Sequence, residues 1–296
     1  MFSIIIPTFN NLKYLKLCIE SIKKNSVYDN EIIAHVNIGN DGTIDYLEST
    51  NIKFTYTNYN SGICTGVNLA AKKASTKYIL YAHDDFYFCQ KWDLVLNEEV
   101  KKMKDSYFYL SGTMVNNGQI KFNCGDDLET FDEEKFINNI QDHNYYDFQG
   151  STWAPHLIHK DLWDRVGGFS EEFFPGTGSD PDLNMKLWKE GVRIFKGINN
   201  FKVYHFGSIV TRKYKNHPTI KTESGSRGGK IFLLKWEVTI DFFKKYVLKS
   251  DTLYNGKLTK PKISFGYLIS LFICKLNFLY IKYVYNFKNR NKLKIL

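Results

Sequence analysis

The sequence predicts an α/β fold: a mixed, mainly parallel sheet flanked by helices, with a helical extension at the C-terminus. Strand-like and helix-like segments alternate through the first third of the 296 residues, which is the pattern of βαβ units. The run KYILYA (77–82) is apolar on both faces, as a central parallel strand is. From about residue 229 the chain becomes basic, aromatic and helical in its apolar spacing.

The elements follow in order. FSIII (2–6) reads as a short buried strand ended by Pro7. Leu12, Leu15, Ile19 and Ile22 then recur at helical spacing behind a capping Asn10 or Asn11. EIIAHVNI (31–38) and IKFTYT (52–57) read as the second and third strands, with NDGTIDYLES between them as a turn running into a short helix. GVNLAAKKAS (66–75) reads as helix and KYILYA as the fourth strand. Trp92, Val95, Leu96, Val100 and Met103 then mark one face of a helix within 90–104. YFYLSGTMV is strand-like, DPDLNMKLWKEG helical, and RIFKG a further strand. KIFLLKWEVTIDFFKKYVLK reads as one basic amphipathic helix and 262–285 as another.

Charge divides the chain. Residues 1–201 carry 20 basic and 27 acidic side chains, a net −7, and residues 202–296 carry 20 and 4, a net +16. Such a tail suits a polyanion, an anionic membrane surface among them. The five cysteines are odd in number and contain no C-x-x-C pair, so neither a zinc site nor a disulfide framework is expected. A reducing, cytoplasmic setting fits, and the MFSIIIPTFN start does not read as a signal peptide.

In open α/β sheets ligands sit beyond the carboxyl ends of the strands. Pro7–Asn10, Asn40–Asp45 and His83–Asp85 each follow a predicted strand, so all three belong on one rim. There the adjacent carboxylates of Asp84 and Asp85 suit a hard divalent cation such as Mg²⁺ or Mn²⁺, or else one caps a helix and the other is solvated. Asp180 either caps the helix that Pro181 opens or, behind its Gly-Thr-Gly segment, faces a substrate as a general base. His205 is followed by Ser208, Thr211, Arg212 and Lys213, groups suited to phosphate oxygens. Trp153 offers either a core side chain or a platform for a sugar.

The segments PTFN, NDGTID, NSGICTGVN, HDDF, KDLWDRVGGFSEEFF, SDPDLNMKLW and YHFGS occur in that order. Over about residues 2–212 this series resembles family 2 glycosyltransferases of the GT-A fold, a Rossmann-like architecture. The resemblance implies a catalytic domain over 1–212 and a basic helical region over 213–296. It implies inverting transfer of a sugar from a nucleotide-diphosphate sugar to a hydroxyl of a glycan or glycoconjugate, with Mn²⁺ or Mg²⁺ as cofactor. In that reading Pro7, Thr8 and Asn10 line the nucleotide pocket, and Asp41 bonds the base or ribose. Asn60 and Asn68 match the asparagines of the family's donor segment. Asp84 and Asp85 form a DXD-type motif, with Asp85 the direct metal ligand and His205 a second metal or diphosphate contact. Arg212 lies among the donor-binding residues, Asp180 is the base, and Asp182 joins Trp153 on the acceptor side. Asn40, Ile44 and Ser179 depart from the family pattern. A nucleotidyltransferase is disfavoured because PTFNNLK lacks a glycine cluster, and a non-catalytic sugar-binding protein because the acidic set is complete. No nucleic-acid partner is expected.

ISFGYLISLFICKLNFLYI (263–281) is long enough to test as a membrane span, but Lys275 stands near its middle. On insertion scales a central lysine costs about 2.5–3.5 kcal/mol. Attachment to a membrane surface, or packing on the catalytic body or a second subunit, fits better.

Overall fold

The computed structural model describes residues 1–207 and 224–285. Strands β1 (Ser3–Phe9), β2 (Glu31–Asn37), β3 (Lys53–Thr57) and β4 (Tyr78–Tyr81) alternate with helices α1 (Leu12–Asn25), α2 (Thr43–Ser49) and α3 (Gly62–Ala71). There follow β5 (Phe86–Phe88), α4 (Trp92–Lys101), β6 (Phe108–Asn116), α5 (Glu133–Asn139), β7 (Phe148–Gln149), β8 (His156–His159), α6 (Lys160–Val166), α7 (Ser179–Glu190) and β9 (Ile194–His205). The C-terminal region holds α8 (Ser224–Trp236), α9 (Ile240–Phe242) and α10 (Phe265–Leu279).

The sheet runs β3-β2-β1-β4-β8-β6-β9-β5, with β7 added on β9. Its first four strands are parallel, while β4–β8, β6–β8, β5–β9 and β7–β9 are antiparallel. β6 and β9 also pair in parallel, so the sheet is mixed: an all-parallel block β3-β2-β1-β4, followed by strands that pair in both senses. Buried Ile4, Ile5, Ile6, Ile33, Val36, Ile79 and Leu80 form its centre, covered by Leu15, Ile19 and Ile22 of α1 and Val67 and Ala70 of α3. All five cysteines are free and buried.

Three differences from the sequence reading have physical causes. Strand β1 continues through Pro7 to Phe9. Proline is tolerated there because the β1–β4 pairing has ended at Ile5, so no partner needs its missing N–H. Strand β9 runs twelve residues, since its second half pairs with β5 and β6 as well. The long amphipathic helix expected over 230–249 is broken. Helix α8 stops at Trp236, Glu237 takes a left-handed φ of 60°, and Thr239 caps the next turn through Phe242 N–H.

Candidate active site

The rim opposite the amino ends of the parallel strands collects the predicted residues. β5 pairs antiparallel with the end of β9, placing Phe86 opposite His205. That register brings a histidine from 120 positions away beside Asp85, whose backbone oxygen accepts from Phe206 N–H at 3.2 Å. His205 Nε2 lies 3.6 Å from Asp85 Oδ2, and His83 Nδ1 lies 4.0 Å from Asp85 Oδ1. One ligand atom each from His83, Asp85 and His205 falls within 4.8 Å of the others. It is the one such group among the described residues.

This donor set fits a divalent cation. Burial holds the His83 imidazole down to about 4, despite the raising effect of Asp85, so it is neutral and able to ligate. Asp84 is pushed up by burial and by the adjacent Asp85 charge, the burden a cation would remove. Its Oδ2 is meanwhile held by the Thr8 hydroxyl at 2.7 Å. Two imidazoles beside one carboxylate suit Mn²⁺ better than Mg²⁺, which prefers oxygen alone. His83 was not assigned a role from the sequence. Its only signal was its place two residues before Asp85 in HDDF.

Asp180 reaches the rim from the other side. Helix α7 starts at Ser179 with Gly178 at its N-cap, φ 90°. Asp180 therefore sits inside the first turn and makes no cap bond, contrary to the capping expectation. Its Oδ1 has no hydrogen-bonding partner among the described residues. Burial pushes this carboxyl up to about 7, while 22% of the side chain stays exposed. His156 Nδ1 lies 3.8 Å away, and burial holds that imidazole down to about 3, so it is neutral and lends the carboxylate no charge. Tyr81, paired with His156 across β4 and β8, links the two halves: its ring centroid is 5.1 Å from that of His156 and 5.4 Å from that of His83.

The remaining predicted residues sort into rim and frame. Pro7 and Thr8 are buried at the end of β1. Asn10 Oδ1 accepts from Gly39 N–H and Asn40 N–H, joining the loops after β1 and β2. Asp41 is exposed and accepts from Leu12 N–H at 2.8 Å and from the Thr43 hydroxyl at 2.6 Å. Asn60 Oδ1 accepts from Gly62 N–H at the start of α3.

Asn68 is a frame residue. Its amide donates to Phe169 O at 2.8 Å and accepts from Phe169 N–H at 2.9 Å, so both ends of the amide are spent on the backbone of one residue. Asp182 is fully buried and accepts from Ser170 Oγ and Trp236 Nε1, with Lys235 Nζ at 3.0 Å. It ties α7 to α8, with its carboxylate held in the interior. Trp153 packs against the core with Lys244 Nζ 5.3 Å from its ring centroid, which gives it a packing role. Arg212 lies outside the described residues.

The description Glycosyl transferase family 2 matches residues 3–154, half of the chain. The chain belongs to that family. Among curated relatives, it is 26% identical over 273 residues to the hyaluronan synthase of Pasteurella multocida, covering 86% of this chain and 26% of the relative. It is 25% identical over 244 residues to the chondroitin synthase of Escherichia coli, covering 77% of this chain and 33% of the relative. This family 2 chain thus spans about a quarter to a third of the relatives it matches. Among solved structures, S. aureus TarS 1-349 in complex with UDP-GlcNAc superposes with a TM-score of 0.55 at 14% identity, over 99% of this chain and 76% of that one. GalNAc-T7 with UDP, GalNAc and Mn²⁺ gives 0.60 at 12% identity, over 98% and 57%. These likenesses establish the GT-A type of α/β fold.

Proposed function

We propose that this chain is an inverting glycosyltransferase that moves a sugar from a uridine-diphosphate sugar to a hydroxyl of a growing glycan, with Mn²⁺ as its ion. The observation that carries the reading is the convergence of His83, Asp85 and His205 on one side of Tyr81 and Asp180 on the other. Family membership, glycan-synthase relatives and neighbours solved with UDP or UDP-GlcNAc support the donor and acceptor classes.

His83, Asp85 and His205 would hold the ion. When bound, it would neutralise the diphosphate as that group leaves. Asp84, fixed by Thr8, adds the second negative charge that a divalent cation balances. The loops carrying Asn10 and Asp41 edge the nucleotide side of the rim. Asp180 accepts the proton from the acceptor hydroxyl as its oxygen attacks the anomeric carbon. Its raised pKa gives the carboxylate enough basicity to act near neutral pH.

Removing a general base typically lowers a rate by about 10²–10⁴. Asp180→Asn is therefore expected to lower kcat for transfer by that range while UDP-sugar binding, followed calorimetrically with Mn²⁺, stays near wild type. Asp85→Ala should instead abolish Mn²⁺-dependent donor binding. Wild-type transfer by Asp180→Asn would refute the base assignment.

A further inference from the structure

Helix α10 has two faces of opposite fate. Tyr267, Leu271, Cys274 and Phe278 pack with Leu233 of α8 and Phe242 of α9, and the Tyr246 hydroxyl bonds Gly266 O at 3.0 Å. The opposite face carries Phe265, Leu268, Ile269, Phe272, Leu276 and Leu279, all exposed to solvent; Phe265 is 80% and Phe272 61% exposed. These positions recur at three- and four-residue steps and so form one stripe along the helix. The apolar stretch Phe265–Tyr283 is long enough to cross a bilayer, yet only 6% of it is buried. A surface helix of a water-soluble body normally turns polar residues outward, and a contiguous exposed apolar strip marks a contact site.

We propose that this stripe seats the protein in the interface of an anionic lipid bilayer, with α10 lying in the membrane plane. Charge selects the occupant. Residues 252–296 contain nine Lys and Arg and no Asp or Glu. Lys275 and Lys282, seven residues apart, are both exposed and fall on one border of the stripe, and exposed Lys260 and Lys262 precede the helix. Lysines flanking an apolar face reach anionic headgroups while the face enters the acyl boundary. Exposed Tyr280 and Tyr283 follow at the C-terminal end, where a ring with a polar tip suits the same interface. A second copy is a poorer occupant, because a two-fold contact would set two acid-free lysine borders against each other. Crossing the bilayer would strip the inner face from α8 and α9 and bury Lys275, so the helix lies on the membrane and does not traverse it.

The test is flotation of the full chain with vesicles of phosphatidylcholine alone and of phosphatidylcholine mixed with phosphatidylglycerol. Binding is expected only to the anionic vesicles and should weaken with salt. The double variant Phe265→Ser, Phe272→Ser removes two side chains that point to solvent, and should weaken binding roughly tenfold or more without lowering Tm. Lys275→Glu with Lys282→Glu should weaken it as well. Three results would each overturn the proposal: no flotation of the wild type, equal binding to neutral vesicles, or binding unchanged by the serine variant. Conversion of a wild-type dimer to a monomer by the serine pair, without vesicle binding, would assign the face to a second copy instead.

Discussion

At the scale of single residues, the site rests on carboxylates whose proton affinity the fold has moved. Asp180 is raised to about 7 by burial, so the acid form predominates below that pH and the working carboxylate above it. The expected outcome is a kcat/KM that falls about tenfold per unit below pH 6 and levels off above roughly 8. His83 and His156 are held down near 4 and 3 by burial, so neither ionises within that limb. The profile should be measured at saturating Mn²⁺, where the ion rather than a proton offsets Asp84. A limb unchanged in the residual activity of Asp180→Asn would assign the ionisation elsewhere. What the sequence made legible at this scale was residue type in context: Asp85, His205 and Asp180 all reach the rim. It could not separate rim from frame. Asn68 and Asp182 stand in motifs as good as any, yet their polar atoms are consumed by Phe169 and by Ser170, Trp236 and Lys235. Partners 12 to 101 residues away decide that, and no local spacing encodes them.

At the scale of elements, α8 and α7 form one mechanical unit. Gly228 of α8 lies so close to the Thr177 carbonyl that an added Cβ would collide with it. Arg227 donates to Phe174 O at 2.7 Å, and Lys235 and Trp236 close on the buried Asp182. The Gly176–Gly178 turn, with φ of 155° and 90°, hands the chain to Asp180 beneath this clamp. Gly228→Ala is expected to cost about 1–3 kcal/mol through overpacking and to lower kcat by shifting the turn. Urea unfolding and transfer kinetics would check both, and Mn²⁺ binding should be unaffected, since His83 and Asp85 lie in the loop before β5 and His205 at the end of β9. Unchanged stability and kcat would show that the clamp does not position the base. The helical break after Trp236 belongs to the same unit. Its apolar periodicity continues through 230–249, so the sequence reads as one helix. Tertiary bonds to Asp182 and the Thr239 cap divide it.

At the scale of the whole molecule, the parallel half of the sheet was legible because its strands are contiguous apolar runs with helices between them. The mixed part was legible only at YFYLSGTMV and RIFKG, because β5 is three residues long and finds its place only by pairing with β9. That late pairing is also what completes the ion site, so metal affinity and global stability are coupled. The ligand atoms come together only when the chain from β4 to β9 has closed, and an unfolded chain offers no such set. An ion at about 100 times its dissociation constant would then stabilise the fold by roughly 2.7 kcal/mol. Mn²⁺ is expected to raise Tm by several degrees and Mg²⁺ by less, because two of the three donors are imidazoles. His83→Ala should erase most of the difference between the two ions, leaving the carboxylates to hold either weakly. Equal shifts from Mn²⁺ and Mg²⁺, unchanged by His83→Ala, would mean that the ion is bound by Asp84 and Asp85 without the histidines. The register that brings His205 to Asp85 would then serve the sheet and not the metal.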